Sequence, residues 1–257
     1  MAESKPTIAD RDLIVGLGKG LALIEAFDDA HPRLGASEAA ARTGMTRTAA
    51  RRFLLSLVHF GYAETDGRQY WLAPRILRLG QSFLDAARLP RQVQPFVQRA
   101  SLQCGETVNF SVLDGHEVVY MVRSNAPRLV SIGYHVGARV PAHVVTPGIV
   151  ILSTFADAAL DAWLASHDFS SFTAFTITDP ALLRAAIELA RAQDYWITGQ
   201  QLELGLVGIA VPLKDRRGEC RGAVSCTFQA HAYSPKQVLS QLLPALREAV
   251  QALRLLI

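Results

Sequence analysis

The 257-residue sequence predicts an α/β multi-domain protein of the α+β class, with an N-terminal winged helix-turn-helix and a C-terminal domain of antiparallel sheet and flanking helices. Three observations support this fold class. A short helix, a turn, a basic helix and a hairpin follow one another near the N-terminus. The hydrophobic period then changes from that of helices to that of strands. The length leaves room for two domains of ordinary size.

The basic helix lies in the stretch TGMTRTAARRFLLSLVHFGY, residues 43–62. At 100° per residue the stretch separates into an apolar face around Phe53 and Leu54 and an opposite, cationic face. Thr46 is in the position of an N-cap, and Gly44 ends a preceding helix whose own N-cap is predicted to be Ser37. The pattern therefore predicts two short helices joined by a tight turn.

A hairpin is predicted directly after this helix, in GYAETDGRQYWLAP, with Asp66 and Gly67 as a type I′ turn. On its own, a run of arginines is as often a solvated surface as a binding face. The succession of helix, turn, basic helix and hairpin favours double-stranded operator DNA as the partner, with the second helix in the major groove and the wing tip on an adjacent groove or the backbone. The candidate DNA-binding residues are Arg42, Thr46, Arg47, Thr48, Arg51, Arg52 and Arg68.

The charge distribution agrees with this prediction. Residues 1–91 contain 13 Lys and Arg against 10 Asp and Glu, whereas residues 92–257 contain 13 against 13. A modest local excess of cation indicates a nucleic-acid reader joined to an electrically neutral domain. Three cysteines without a CxxC pair predict neither a zinc site nor a disulfide framework. Without an apolar leader or a membrane-length apolar run, we expect a cytoplasmic protein that does not contact membrane.

The predicted domain organisation has four parts. Residues 1–10 form a disordered tail, and 11–74 form the winged helix-turn-helix, which opens with a helix over 13–27. The GLGKG in this helix lacks the spacing of a phosphate-binding loop. Residues 75–90 form a linker helix that ends at Pro90, and 91–257 form the second domain.

The second domain is predicted from a sequence of hairpins and helices. It opens with a helix to about residue 103, followed by a hairpin over 106–124 and a third strand over 128–137. Helices follow, among them one over 179–196. A second hairpin over 206–229 turns at Arg217 and Gly218, and an amphipathic helix ends the chain.

Several of these segments resemble the IclR family of bacterial transcription regulators. They are GLGKGLALIEAF, TGMTRTAARRFLLSL, GYAETDGRQYWLAPRIL, VPAHVVTPGIVILS, ELGLVGIAVPL and GAVSCTF, in that order along nearly the whole chain. Within the family, TRTAARR, ETDGRQYWL and RLPRQVQP look like the Pca and Pob type regulators of aromatic acid catabolism. That group includes activators that also repress their own synthesis.

The resemblance implies a GAF-like effector domain that binds a small aromatic or carboxylic acid between the sheet and flanking loops. The residues it implies for the pocket are Leu129, Thr146, Pro147, Thr198, Gly208, Ser225 and Thr227. Alternation along the strand independently places Ser225 and Thr227 on one face. Hydroxyls and loop amides can hold a carboxylate, although two hydroxyls on a solvated face would give the same pattern.

The chain departs from the family pattern at two places. Related regulators often have Arg-Ser before the IAVP run, where this chain has Val207 and Gly208. They usually have Lys or Arg where this chain has Ile149. Both changes predict a less polar pocket and favour an aromatic monoacid over a small diacid. Candidate replacements for the missing charge are Arg123, Arg128 and Arg139.

The sequence lacks the motifs of metal sites and of common enzymes. His116, His135, His143 and His231 lack metal-ligand spacing, so no metal and no cofactor are expected. An enzyme is disfavoured because GxSxG, GxGxxG and nucleophile motifs are absent. The remaining alternative is a constitutive DNA-binding regulator whose second domain only oligomerises. We expect a homodimer or a dimer of dimers, with RNA polymerase as a further partner if the protein is an activator.

Overall fold

The computed structural model describes residues 9–86, 88–126 and 134–257. Within the first range, only the backbone of residues 10, 84 and 85 is described. The described residues divide into two compact units, one ending at Ala86 and the other beginning at 88. Three parts of the prediction lie outside the described residues: most of the tail, the pocket candidate Leu129 with Arg128, and most of the strand over 128–137.

The first unit is a small helical domain with a three-stranded sheet. After a short 3-10 turn over Asp10–Asp12, its elements are α1 (Val15–Glu25), β1 (Leu34–Gly35), α2 (Ala36–Thr43), α3 (Arg47–His59), β2 (Ala63–Thr65), β3 (Gln69–Leu72) and α4 (Leu77–Ala86). The core joins Leu23 of α1, Ala39 of α2 and Leu54 of α3 with Tyr70 of β3, all nearly inaccessible to solvent. This arrangement fixes the apolar side of α3 and leaves its other side outward.

The ends of α2 and α3 show why the turn between them is tight. Thr46 is the N-cap of α3 and accepts a hydrogen bond from the Ala49 amide at 3.2 Å, as predicted. Gly44 has a φ of +66°, in the left-handed region that glycine tolerates best. The predicted cap of α2 is wrong: the helix begins after Gly35, whose amide donates to the Glu38 carboxylate at 2.9 Å, so Ser37 is already helical.

The wing sheet has the strand order β1-β3-β2. The two-residue β1 was not predicted, because so short a strand leaves no alternating pattern. The turn is also not the predicted type I′, which requires positive φ at both Asp66 and Gly67; only Gly67, at +94°, has it. The Asp66 carboxylate instead accepts from the amides of Arg68 and Gln69, at 2.9 and 2.8 Å.

The linker region differs from its predicted bounds. A 3-10 turn over Pro74–Ile76 leads into α4, which is described to Ala86. Helix α5 (Arg88–Cys104) opens the second unit, so Pro90 lies in the first turn of α5 rather than at the end of the linker helix. Proline fits there because the first amides of a helix have no intrahelical acceptor.

The second unit is an α+β domain around a six-stranded antiparallel sheet of order β6-β5-β4-β9-β8-β7. Its strands are β4 (Thr107–Asp114), β5 (Glu117–Ser124), β6 (Arg139–Pro141), β7 (Trp196–Gly199), β8 (Leu206–Lys214) and β9 (Cys220–Gln229). Its remaining helices are α6 (Thr146–Leu152), α7 (Asp157–Ser166), α8 (Pro180–Gln193), the single turn α9 (Pro235–Gln237) and α10 (Leu243–Arg254). A 3-10 turn over Ala142–Val144 precedes α6, and a π-helical stretch over Val238–Leu242 joins α9 to α10.

Helix α6 packs on one face of this sheet, where Val150 and Ile151 contact Ala210 of β8 and Ala223 of β9. Helices α5 and α10 pack against each other and against the sheet. The helix predicted over 179–196 ends at Gln193, because Asp194 takes a left-handed φ of +56° and the chain then enters the edge strand β7. Over the described ranges, every helix is too short or too polar to cross a membrane.

Candidate DNA-binding surface and effector cavity

The outward side of α3 carries a cluster of free cations. Arg47, Thr48, Arg51 and Arg52 are all exposed, whereas Ala50 and Leu54 on the opposite side are inaccessible. Within the part of the chain that the structure describes, no carboxylate lies within ion-pair distance of these three arginines. The fold thus presents three unneutralised guanidinium groups on one exposed helix face, an arrangement suited to an anionic polymer.

Arg42 departs from its predicted role. Its Nε donates to the Ala26 carbonyl at 2.8 Å, one terminal nitrogen lies 2.8 Å from His31 Nδ1, and the other bonds the Asp28 carboxylate. These contacts tie α2 to the end of α1. Three of its five N–H donors are used within the first unit, so Arg42 has a structural role, and we leave it out of the proposed DNA-binding surface.

The wing tip presents a second exposed cation. Arg68 is exposed at the turn, while Arg33 stacks over the Trp71 ring at 4.2 Å. The hydrogen bonds from the Gln69 and Arg68 amides lower the pKa of the Asp66 carboxyl group and hold the turn in one shape. Thr46 is also exposed, but its hydroxyl already accepts the bond that caps α3.

A cavity lies between the start of α6, the edge of the sheet and the loop after β7. Six residues predicted for the pocket line it: Thr146, Pro147, Thr198, Gly208, Ser225 and Thr227. Leu129, the seventh, lies outside the described residues. The strand register explains the convergence, because Thr198, Gly208 and Thr227 are directly opposite one another on β7, β8 and β9.

Residue 208 is a glycine for a steric reason, because a side chain at this position would collide with Thr146. A Cβ atom built on it would meet the Thr146 hydroxyl and would lie 3.4 Å from the Thr146 Cβ. The missing side chain therefore lets the start of α6 approach the sheet. As a result, the Thr146 hydroxyl shares the cavity with the hydroxyls of the strands.

The hydroxyl groups of the cavity have no protein partners. Thr198 Oγ1 is buried and makes no hydrogen bond. Among the described residues, the hydroxyls of Thr146, Ser225, Thr227 and Tyr120 are also without a hydrogen-bond partner. A buried polar group is normally paired, so this concentration indicates a site that a ligand or water completes.

The rest of the lining includes two tyrosines, two glutamines and several aliphatic side chains, most of which sequence reasoning missed. Tyr120 and Tyr134 lie with ring centroids 5.6 Å apart, and burial raises the pKa of both phenols, so each remains a neutral donor. The other unpredicted lining residues are Val144, Val145, Gln200, Gln201, Leu202, Glu203, Leu206 and Cys226, whereas Val207 lines the cavity as its predicted effect on pocket polarity requires. Alternation along β5 could have suggested Tyr120, but the loop residues have no pattern of their own.

The cavity lining contains no lysine or arginine in the part of the chain that the structure describes. Arg139 is bound to Glu117 and Asp114 at 2.7 and 2.8 Å, and Arg123 donates to the Tyr134 carbonyl at 2.7 Å, so neither enters the cavity. The interpretation of Ile149 is also corrected. Its side chain is buried in the core rather than in the lining, so it does not affect the polarity of the cavity.

Three histidines form a chain of contacts beside the cavity, although the sequence gave them no common spacing. His143 Nε2 lies 3.0 Å from the Ser170 carbonyl, His143 Nδ1 lies 2.7 Å from His167 Nε2, and the Nδ1 atoms of His167 and His116 are 3.2 Å apart. His167 also stacks on Trp163 at 4.3 Å. His143 directly precedes the lining residues Val144 and Val145, so this chain supports one wall of the cavity.

Burial disfavours the charged form of two of these rings. With His143 donating to the Ser170 carbonyl, each remaining contact needs one donor and one acceptor nitrogen. Burial and the two neighbouring histidines lower the pKa of His167 to about 4. Burial also lowers the pKa of His143. None of the described residues forms a group of His, Cys, Asp and Glu suited to a metal ion.

Comparisons with known proteins agree with both units. Residues 16–67 match the IclR helix-turn-helix domain, and residues 81–255 match the bacterial transcriptional regulator IclR C-terminal domain. The chain is 38% identical to the p-hydroxybenzoate hydroxylase transcriptional activator of Acinetobacter baylyi, over 99% of this chain and 96% of that protein.

Two solved structures extend the comparison. A putative transcriptional regulator from Rhodococcus sp. RHA1 superposes with a TM-score of 0.80 at 36% identity, covering 94% of this chain and 97% of its own. The second is the inducer-binding domain of a double mutant of PobR from Acinetobacter, in complex with 3-hydroxybenzoic acid. Its TM-score is 0.63 at 34% identity, over 66% of this chain and 100% of that domain.

Proposed function

The chain belongs to the IclR family of bacterial transcriptional regulators, and we propose that its effector is a small aromatic acid, with hydroxybenzoates as the first candidates. The observation that carries this proposal is the cavity whose hydroxyls have no protein partner and whose described lining residues include no lysine or arginine. A similar activator is named for p-hydroxybenzoate hydroxylase, and a similar inducer-binding domain holds 3-hydroxybenzoic acid. We infer control of a catabolic operon for aromatic acids.

The lining chemistry suits one carboxylate and an aromatic ring. Hydroxyl donors at Thr146, Thr198 and Ser225 can bind a carboxylate by charge-assisted hydrogen bonds. The faces of Tyr120 and the apolar lining can pack on a ring. Glu203 lies in the lining, and none of the described lining residues is a cation, so a second carboxylate placed near Glu203 would be repelled. These features favour a monoacid over a diacid.

In the first unit, we propose that Arg47, Thr48, Arg51 and Arg52 contact base edges or phosphates of an operator in the major groove. Arg68 on the wing would reach an adjacent groove or the backbone. The support is that no carboxylate of the described side chains pairs with these arginines, and that they lie on one exposed face of α3. We propose 11–74 as the DNA-binding domain, and we move the end of the linker from 90 to the start of α5, so that the effector domain begins at Arg88.

We further propose that two chains pair through the apolar faces of α1 and α4, so that two readers face an operator of inverted symmetry. The exposed apolar residues on these helices include Val15, Leu17, Leu21, Leu77 and Phe83. The proposed assembly is a homodimer or a dimer of dimers, with RNA polymerase as a further partner if the protein is an activator. A non-enzymatic role and a cytoplasmic location complete the proposal. Effector binding would then bias the arrangement of the two readers, by no more than its difference in affinity for the two states.

A thermal-shift screen of the purified chain tests the effector class. The panel contains benzoate, hydroxybenzoates, protocatechuate, phenylpropanoid acids and ring-opened diacids. Ligand at 100 times its dissociation constant stabilises by about 2.7 kcal/mol, which raises Tm by several degrees for domains of this size. We expect a shift with a hydroxylated aromatic monoacid. A shift with ring-opened diacids alone would contradict the proposed class, and no shift at all would favour a constitutive regulator.

A further inference from the structure

Four buried side-chain atoms have no hydrogen-bond partner in the described part of the chain: both amide atoms of Asn109, Ser111 Oγ and Thr198 Oγ1. All three residues are at least nine-tenths buried, with exposures of 1, 0 and 5%. Thr198 belongs to the lining of the cavity described above. Asn109 and Ser111 do not, and nothing in the proposed carboxylate contacts uses them.

The strand register places Asn109 and Ser111 next to two residues that line that cavity. Strand β4 lies between β5 and β9. Asn109 is directly opposite Ser225 of β9, and Ser111 is directly opposite Tyr120 of β5. Ser225 and Tyr120 both line the cavity. Directly opposite residues of antiparallel strands have side chains on the same face, about 5 Å apart at Cβ.

Asn109 and Ser111 are two residues apart in a stretch of β4 that pairs with β9 without a register shift, so they share this face. Opposite Ser111 on β9 is Ala223, which packs against α6. The unpartnered amide and hydroxyl therefore point to the side of the sheet that bears α6 and the effector cavity.

The donors and acceptors of Asn109 and Ser111 fit a ligand hydroxyl better than a ligand carboxylate. The Asn109 amide offers donors at Nδ2 and an acceptor at Oδ1, and Ser111 offers one donor and an acceptor. A carboxylate could only accept, and would leave Oδ1 of Asn109 unpaired. A hydroxyl can donate to Oδ1 and accept from Ser111 or Nδ2. A buried amide left unpaired is unfavourable, so a group that satisfies both functions gains affinity from it.

We propose that Asn109, assisted by Ser111, recognises a ring hydroxyl of the effector, while the hydroxyls nearer to α6 bind its carboxylate. The inference rests on the proposed function, since it assigns a specificity residue within the same effector site. Asn109 thereby discriminates hydroxylated aromatic acids from the parent acid. It does not determine whether an aromatic acid binds.

The test is a double-mutant cycle between the Asn109 amide and the ligand hydroxyl, measured by calorimetry on the full chain. The ligands are benzoate, 3-hydroxybenzoate and 4-hydroxybenzoate. The variants are Asn109→Leu, which keeps the volume, and Asn109→Ala, which avoids overpacking if leucine disturbs the fold. Asn125→Leu is the matched control, because it removes an exposed amide outside the cavity lining.

We expect the wild-type chain and Asn125→Leu to prefer one hydroxybenzoate over benzoate by about tenfold or more, the effect of one well-placed hydrogen bond. In the Asn109 variants this ratio should fall to within about twofold of unity, with benzoate affinity retained. An undiminished ratio, or an equal loss of affinity for all three acids, overturns the assignment to Asn109. If the wild-type chain binds none of the acids, the proposed function itself fails, which is a different result.

Discussion

The two units of this protein display unpartnered polar groups in opposite settings. In the first unit they are exposed cations, Arg47, Arg51 and Arg52, on the outward side of α3. In the second they are buried neutral groups, such as Thr198 and Asn109, on one face of the sheet. Exposed cations can bind a polyanion such as DNA, since its phosphates stay partly hydrated in the complex. A small acid must be desolvated, and neutral donors hold it without burying a second charge.

The contrast also explains which residues are structural. Arg42 has the same chemistry as Arg51 but is held by Ala26, His31 and Asp28. Asp28 lies on the loop that follows α1, and its pKa is lowered first by the hydrogen bond from His31. Function is thus indicated by a polar group that the fold leaves unpaired, and not by residue type alone.

The largest effect is expected from removing the exposed cations. The double substitution Arg51→Ala and Arg52→Ala should weaken operator binding by about 100-fold or more, since each lost base or phosphate contact costs about 1–3 kcal/mol. The duplex is first obtained by selection from random DNA, and affinity is measured by fluorescence anisotropy. Thermal stability should change little, because both side chains are exposed.

Arg42→Ala is the matched control for that experiment. It should lower the melting temperature, because the ties between α2 and the end of α1 are lost, and operator affinity should be nearly unchanged. Unchanged operator affinity in the Arg51/Arg52 variant would refute the assignment of α3 as the reader.

The next effect concerns the buried hydroxyls. Ser225→Ala with Thr227→Val should weaken effector binding by about 10- to 100-fold, because each lost hydrogen bond contributes about 0.5–1.5 kcal/mol. Calorimetry with the effector from the thermal-shift screen measures this. Operator affinity without effector should stay at the wild-type value. Thr154→Val, whose hydroxyl donates to the Ile151 carbonyl instead, should leave effector binding intact, and equal losses in both variants would argue against the cavity.

A smaller effect is expected from filling the gap at Gly208. In Gly208→Ala the new methyl group meets the Thr146 hydroxyl, so the start of α6 must shift. We expect effector affinity to fall by about tenfold. Gly199→Ala on the neighbouring strand is the control, since its Cβ would meet only Val207 Cγ2, at 4.0 Å. If both alanine variants bind effector equally well, the close approach of α6 does not shape the cavity.

The smallest effect is a pH dependence of stability from the histidine chain. Because the pKa of His167 is about 4 in the fold and about 6.5 when unfolded, the unfolded chain binds more protons between those values. Its contribution to stability is therefore complete above pH 6.5 and is lost as the pH falls towards 4. Melting temperatures of His167→Gln and of the exposed control His231→Gln, measured from pH 7 to 4.5, should converge as the pH falls. Parallel curves would exclude this role for His167.

The sequence predicted the first unit well because its signals are local. The cap at Thr46, the glycine at 44 and the cationic face of α3 are all contained within 16 residues, so periodicity alone defines them. The two-residue strand β1 and the hydrogen bonds of the Asp66 turn are set by pairing and by a side-chain bond, which a local pattern does not encode.

The cavity could be predicted only in part, because it is assembled from distant segments. Alternation identified the shared face of Ser225 and Thr227, and the family resemblance indicated Thr146 and Gly208. The approach of Tyr120 to that face depends on the register between β4 and β5, including its irregularity near Phe110. The histidine chain likewise joins residues more than 20 positions apart, so no short spacing could reveal it.

The most direct test of this account measures linkage between the two sites. The effector found by the thermal-shift screen is titrated by calorimetry into the full chain, alone and with saturating operator duplex. We predict binding in both cases, with dissociation constants that differ by about 5- to 150-fold, and a reciprocal change in operator affinity when effector is present. Equal dissociation constants with and without operator would contradict the claim that the buried cavity regulates the exposed reader.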